Sequence, residues 1–262
     1  MNRIEKLFAR KQRDILNVYC TAGYPALEDT GRIIKALEAA GADLVELGMP
    51  YSDPLADGPV IQQSGQQALK NGMTLSLLFD QVQALRQETD IPLILMGYFN
   101  QVMQYGEQRF ISQCAEAGVD GLILPDLPLY EYEQHYRRMV EKAGLGISFL
   151  ITPQTPEERI RKVDELSRGF VYMVANSSIT GARGTITPEQ LAYFERINQL
   201  RLKNPRLIGF GISSRETFSA ACRYANGAII GSAFIRALAA AEDVRQATLD
   251  FVRAIRGAGM SA

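Results

Sequence analysis

Short apolar runs alternate along the chain with longer segments of helical period, the pattern of parallel strands joined by helical crossovers. Eight runs read as strands: ILNVYC from residue 15, DLVELG from 43, PLILMG from 92, GLILPD from 121, GISFLI from 146, GFVYMV from 169, RLIGFG from 206 and GAIIGS from 227. Between them stand helix candidates such as TGRIIKALEAAG, TLSLLFDQVQALRQ, QRFISQCAEAG, EYEQHYRRMVEKAG, PEERIRKVDELSRG, PEQLAYFERINQLRLK and RETFSAACRYANG. Several finish in Ala-Gly or Asn-Gly, the expected left-handed stop. Alternating units suit either an open doubly wound sheet or a closed barrel. The count of eight, a length of 262 residues beside the ~250 typical of the barrel, and the lack of a GxGxxG turn after the first run favour closure. The expectation is an α/β fold of the (β/α)8 TIM-barrel class, as a single domain over residues 1–262.

In such a barrel the C-terminal ends of the strands and the loops after them carry the chemistry. The second run ends at that rim in LVELGMPYSDPLADGP, residues 44–59. Period-two alternation puts Leu44, Glu46 and Gly48 on one face and Val45 and Leu47 on the other. Both faces of a parallel barrel strand are buried, so the Glu46 charge needs a partner or its pKa rises. A structural ion pair would meet the same need; the rim position favours chemistry. Asp57, before a Gly-Pro turn, could bond only its own backbone. Beside Glu46 it makes an acid pair whose surroundings can split their pKa values, one poised for proton transfer and one held ionised. Asp53, next to Pro54, reads as a turn cap or a solvated charge.

Two glycine-rich turns, GFGIS from Gly209 to Ser213 and GSAF from Gly231 to Phe234, follow the seventh and eighth runs. Glycines admit an anion close to backbone N–H groups, and a short helix begun at Ser232 points its positive end at it. Barrel enzymes bind phosphate at these two places. The segment NSSITGARGTITPE, residues 176–189, has the composition of a lid over substrate. Tyr172, on the sixth run, reads as core whose hydroxyl needs a partner.

Charge and composition narrow the ligand. A net charge of −1 with scattered Lys and Arg lacks the footprint that nucleic acid or an anionic membrane requires, so the partner in chemistry is a small molecule. No apolar run is long enough to span a bilayer. MNRIEKLFARKQRD reads as a short amphipathic surface helix rather than a targeting peptide. Cys20, Cys114 and Cys222, odd in number and far apart, argue against disulfides and a thiolate metal site and fit a reduced, cytoplasmic protein. His135, the single histidine, lies in a charged helix and faces solvent; no clustered His ligands are available for a metal-dependent aldolase, and Ser-His-Asp hydrolysis is removed. Each lysine falls in a helix or at the base, so none suits a Schiff base at the rim. A phosphate-binding barrel with an acid pair remains open to isomerase, aldolase or decarboxylase chemistry.

The stretches LVELGMPYSDPLADGPVIQ, LPDLPLYE, ITGARG, GFGIS and GSAF, in this order and spacing, resemble the tryptophan synthase alpha subunits, and the likeness runs over nearly the whole chain. The resemblance implies a (β/α)8 barrel that cleaves indole-3-glycerol phosphate reversibly to indole and glyceraldehyde 3-phosphate. Indole suits two acids without a cofactor: protonation at ring carbon three creates an electron sink, and a carboxylate can stabilise the ring N–H. On the family's motif, Glu46 falls on the catalytic acid/base and Asp57 on the acid that holds the indole N–H. Tyr172 falls on a tyrosine near the catalytic Glu, and Thr180 and Gly181 on the lid. Phe210, Gly211, Gly231 and Ser232 fall on the phosphate cradle, and Tyr19, Leu95 and Ile123 on apolar positions beside the ring. The family further implies a pyridoxal-phosphate-dependent beta subunit in an alpha2-beta2 tetramer, with the pyridoxal phosphate in that partner and Asp53 facing it. Two departures stand out: residues 175–179 read Ala-Asn-Ser-Ser-Ile where many members carry Ser-Arg-x-Gly-Val, and Tyr19 replaces a common Phe.

Overall fold

The computed structural model describes residues 1–175, 187–209 and 211–257. Nine strands appear among them: β1 (Ile15–Thr21), β2 (Leu44–Gly48), β3 (Leu93–Met96), β4 (Gly121–Ile123), β5 (Gly146–Ile147), β6 (Leu150–Ile151), β7 (Val171–Val174), β8 (Arg206–Gly209) and β9 (Gly227–Ile230). Their order in one sheet is β5-β4-β3-β2-β1-β9-β8-β7-β6, with every paired ladder parallel. The two outer strands, β5 and β6, are halves of the single expected run GISFLI. Backbone bonds continue through the residues between them, from Ser148 N–H to Leu122 at 3.0 Å on one side and from Tyr172 N–H to Phe149 at 3.0 Å on the other. The two ends of the sheet are thus one chain segment, and the barrel closes.

Alternation along the strands sorts the core into two layers. Ile15, Leu44, Ile94, Ile123, Tyr172, Leu207 and Ile229 point inward. Leu16, Val18, Val45, Leu47, Leu95, Val171, Ile208 and Ile230 point outward against the helices. Helices Asp29–Ala39, Leu75–Leu85, Glu107–Ala117, Glu157–Leu166, Pro188–Gln199 and Arg215–Cys222 occupy the expected crossovers. EYEQHYRRMVEKAG forms three pieces, Leu129–Glu131, a π-helical Tyr132–Tyr136 and Arg137–Lys142. The Ala-Gly stop holds at Gly118, with φ of 85°. The Asn-Gly stop does not. Gly227 opens β9, and a Cβ there would lie 2.1 Å from the Ile15 carbonyl oxygen, so this glycine serves close strand approach.

The N-terminal segment departs from a surface helix. Helix Arg3–Arg10, capped by Asn2, buries Ile4, Leu7 and Phe8 in the inner layer, where Phe8 meets Phe170 at a 6.2 Å ring distance. It plugs the base of the barrel, fixed by Arg168–Glu5 at 2.8 Å and Arg3–Asp120 at 3.3 Å. Strand alternation alone leaves that base open, and an amphipathic stripe at helical spacing is what closes it. Leu7 is 1% exposed. We predict that Leu7→Ala destabilises the protein by about 2–5 kcal/mol, read by urea unfolding. A loss under ~1 kcal/mol would mean the plug is not packed as described.

Candidate active site

At the C-terminal rim lies a cavity of about 330 Å³. Glu46, Tyr19, Tyr172 and Met96 rise into it from the strands, and Asp57 and Ile61 enter from the loop and helix after β2. Gly211, Ile212 and Ser213 line the opposite side with Gly231, Ser232 and Arg236. The acid pair and the two glycine turns therefore face one hollow.

Glu46 sits mid-strand, flanked by β1 and β3 in register with Tyr19 and Ile94. Its side chain is 1% exposed. Burial pushes its pKa up to about 8, against the one hydrogen bond that favours the charge, from Asn17 Nδ2 to Oε1 at 2.6 Å. Asp57 is half-buried. Burial raises its pKa too, opposed by the Tyr98 hydroxyl, which donates to Oδ2 at 3.1 Å. The same Tyr98 oxygen accepts from the Ala56 N–H at 2.9 Å, and its ring stacks on Tyr51 with centroids 5.1 Å apart. One phenol from the β3 side thus fixes the Asp57 loop. The split between the acids follows their surroundings: Glu46, in the apolar interior, is held as the acid near neutral pH.

The two tyrosines occupy space left by glycines. A Cβ on Gly48 would lie 2.0 Å from the Tyr19 hydroxyl, and one on Gly209 would lie 2.3 Å from that of Tyr172. The Tyr19 hydroxyl bonds Thr21, which supplies the partner that the extra oxygen demanded; burial raises both phenol pKa values. Across the cavity, helix Ser232–Ala239 starts at the expected residue, and its first two residues, Ser232 and Ala233, line the space. Gly211 has φ of 76°, a left-handed conformation that favours glycine.

Several expectations need correction or lie elsewhere. Leu95 does not line the cavity: it points outward into the helix layer, and its neighbour Met96 takes the inward place, because side chains alternate along β3. Ile123 is inward but belongs to the packed interior, outside the cavity lining. Asp53 is exposed on the outer loop, where its carboxylate accepts from Ser52, and Leu55 beside it is 95% exposed. Thr180, Gly181 and Phe210 lie outside the described residues, as does most of the expected lid. His135 is exposed, 3.7 Å from Glu131. No lysine is among the described residues lining the cavity, and no cluster of His, Cys, Asp and Glu among the described residues could hold a metal ion. The three cysteines are buried and free, and no helix among the described residues is long and apolar enough to cross a membrane.

Sequence reading missed Asn17, Tyr98, Met96 and Arg236. Asn17 and Met96 were available from period-two alternation, since Ile15, Asn17 and Tyr19 share a face. Arg236 follows Ser232 by one helical turn and so projects from the same side. The Tyr98–Asp57 contact joins loops after different strands, and no local pattern signals it.

Comparison with known proteins agrees with this geometry. The family model described as tryptophan synthase alpha chain matches residues 6–259. The tryptophan synthase alpha chain of Flavobacterium johnsoniae is 56% identical over 238 residues, covering 91% of this chain and 94% of that one. That of Phocaeicola vulgatus is 53% identical over 238 residues, covering 91% and 92%. Among solved structures, tryptophan synthase subunit alpha from Legionella pneumophila superposes with a TM-score of 0.87 at 34% identity, covering 98% of this chain and 97% of that one. The tryptophan synthase complex from Pyrococcus furiosus gives 0.85 at 31% identity, covering 94% and 99%. A family model matched over nearly the whole chain and relatives more than half identical show that the chain belongs to the tryptophan synthase alpha chain family.

Proposed function

We propose that the chain, working as one domain over residues 1–262, is the lyase subunit that splits indole-3-glycerol phosphate into indole and glyceraldehyde 3-phosphate, in the cytoplasm and in an alpha2-beta2 assembly with a beta subunit. The observation that carries this reading is the pair Glu46 and Asp57 lining one cavity whose far wall is the Gly211 and Gly231–Ser232 backbone. Family membership supports the reaction and the beta-subunit partner.

The substrate enters with its phosphate toward the first turn of helix Ser232–Ala239, where N–H groups and the helix dipole meet the anion. Arg236, one turn along, adds a positive charge on the same side. Thr180, Gly181 and Phe210 are further substrate-binding residues in this reading, on the family's motif. The indole ring lies between Tyr19, Met96 and Tyr172, above Ile123. Protonated Glu46 delivers its proton to ring carbon three, which makes the ring an indoleninium. Asp57 accepts the ring N–H and stabilises the positive charge. The Glu46 carboxylate then takes the proton of the neighbouring glycerol hydroxyl. The carbon–carbon bond breaks, its electrons return to the ring, and indole and the aldehyde leave with Glu46 protonated again. A pKa near 8 suits a group that must both give and take a proton near neutrality. This sequence draws on no cofactor of the chain's own; pyridoxal phosphate belongs to the beta subunit. Exposed Asp53 and Leu55, on the outer side of the Asp57 loop, are the proposed contact with that subunit.

Glu46→Gln is expected to lower indole release by at least ~100-fold while glyceraldehyde 3-phosphate still binds; near-parental turnover would remove Glu46 from the chemistry. Asp57→Asn should lower kcat by roughly 100-fold with the circular dichroism spectrum kept, and normal kinetics would refute the ring-nitrogen role. Glu46 also leaves a mark on stability. Its folded-state pKa of about 8 exceeds the ordinary 4.5, so the native state binds the proton more tightly and stability falls as pH rises between those values. Glu46→Gln should flatten that slope in thermal melts; an unaltered slope would contradict a buried, neutral acid.

A further inference from the structure

Asn17 has no part in the steps proposed for the lyase, yet it hydrogen-bonds the acid at their centre. It is 0% exposed, faces inward from β1, and gives Nδ2 to Glu46 Oε1 at 2.6 Å. Its other amide atom, Oδ1, is buried without a hydrogen-bond partner. An apolar side chain would fill this inner-layer position between Ile15 and Tyr19 without leaving a polar atom orphaned. Burying an amide there costs stability, and Glu46 is the group that receives its donor.

We propose that Asn17 is the positioning residue for Glu46, its amide holding the carboxyl in place in both protonation states and favouring the ionised one. As placed, Nδ2 donates to the carboxylate. A half-turn of the amide presents Oδ1, which accepts from the O–H of the protonated form. The bond to the charged form is the stronger, so the net effect is to hold the Glu46 pKa below where burial alone would set it. The other ionisable groups around Glu46 are Tyr19 on β1, Tyr172 on β7 and Asp57 in the loop after β2. The inward residues Ile94, Ile123, Leu207 and Ile229 carry no charge. The Asn17 hydrogen bond opposes the desolvation of Glu46.

This inference rests on Glu46 being the acid/base, and the test separates the two. Indole release by the full chain is followed against pH for the parent, Asn17→Leu, Asn17→Ala and Glu46→Gln. Asn17→Leu keeps the volume and removes both amide atoms; Asn17→Ala cannot clash and serves if the larger residue disturbs folding. The expected result is an inflection moved upward by about one pH unit in both Asn17 variants, kcat lowered roughly ten- to a hundredfold and KM little changed, with the Tm kept in Asn17→Leu and lowered only by the cavity in Asn17→Ala. If Glu46→Gln is inactive but the inflection stays at its parental position in folded Asn17 variants, the positioning role is overturned and the lyase reading stands. A lowered Tm with an unmoved inflection makes Asn17 merely structural. If Glu46→Gln remains active, both fall.

Discussion

A carboxyl group almost wholly withdrawn from water governs the rest of this structure. Glu46 stands inside a barrel whose neighbouring inward residues are largely apolar, and such surroundings favour the neutral form of an acid. The closed sheet makes the burial permanent: Glu46 is flanked by hydrogen-bonded strands on both sides, so it cannot swing toward solvent without breaking the ladder. Rigidity here sets a proton affinity as well as a shape.

Around that group the barrel trades side chains across its interior. Gly48 and Gly209 give up their Cβ positions to the phenols of Tyr19 and Tyr172, so two large rings flank the cavity without widening the sheet. Asp57 is governed differently. It belongs to a loop, and its placement depends on Tyr98, which ties the loop to the neighbouring β3 side through two hydrogen bonds. A strand-borne acid with a fixed environment thus faces a loop-borne acid held by one phenol, and the second is the more adjustable of the two.

Much of this was legible from residue order. Strand periodicity gave the barrel, the face that Glu46 shares with Leu44 and Gly48, and the rim position of the SDPLADGP loop, because all three follow from local spacing. The fifth run, GISFLI, was legible as one strand although its first half pairs with β4 and its second with β7. The errors came where one residue of register matters, as with Leu95 and Met96, or where a signal is shared between causes, as with Gly227, whose glycine answers to a strand neighbour rather than to a helix end. Tyr98 was invisible because its partner is distant in sequence. Asn17 was visible in principle, but an amide in an apolar run attracts less notice than a charge.

The helix that seals the base carries one more consequence, for biosynthesis. Arg3–Arg10 leaves the ribosome well before Phe170, Leu207 and Ile229, which share the inner layer with Ile4, Leu7 and Phe8. β1 likewise waits for β9 to pair with its free edge. Through most of translation the nascent chain therefore carries an uncovered greasy stripe and an unzipped margin, features that invite chaperone engagement until the final strands are released.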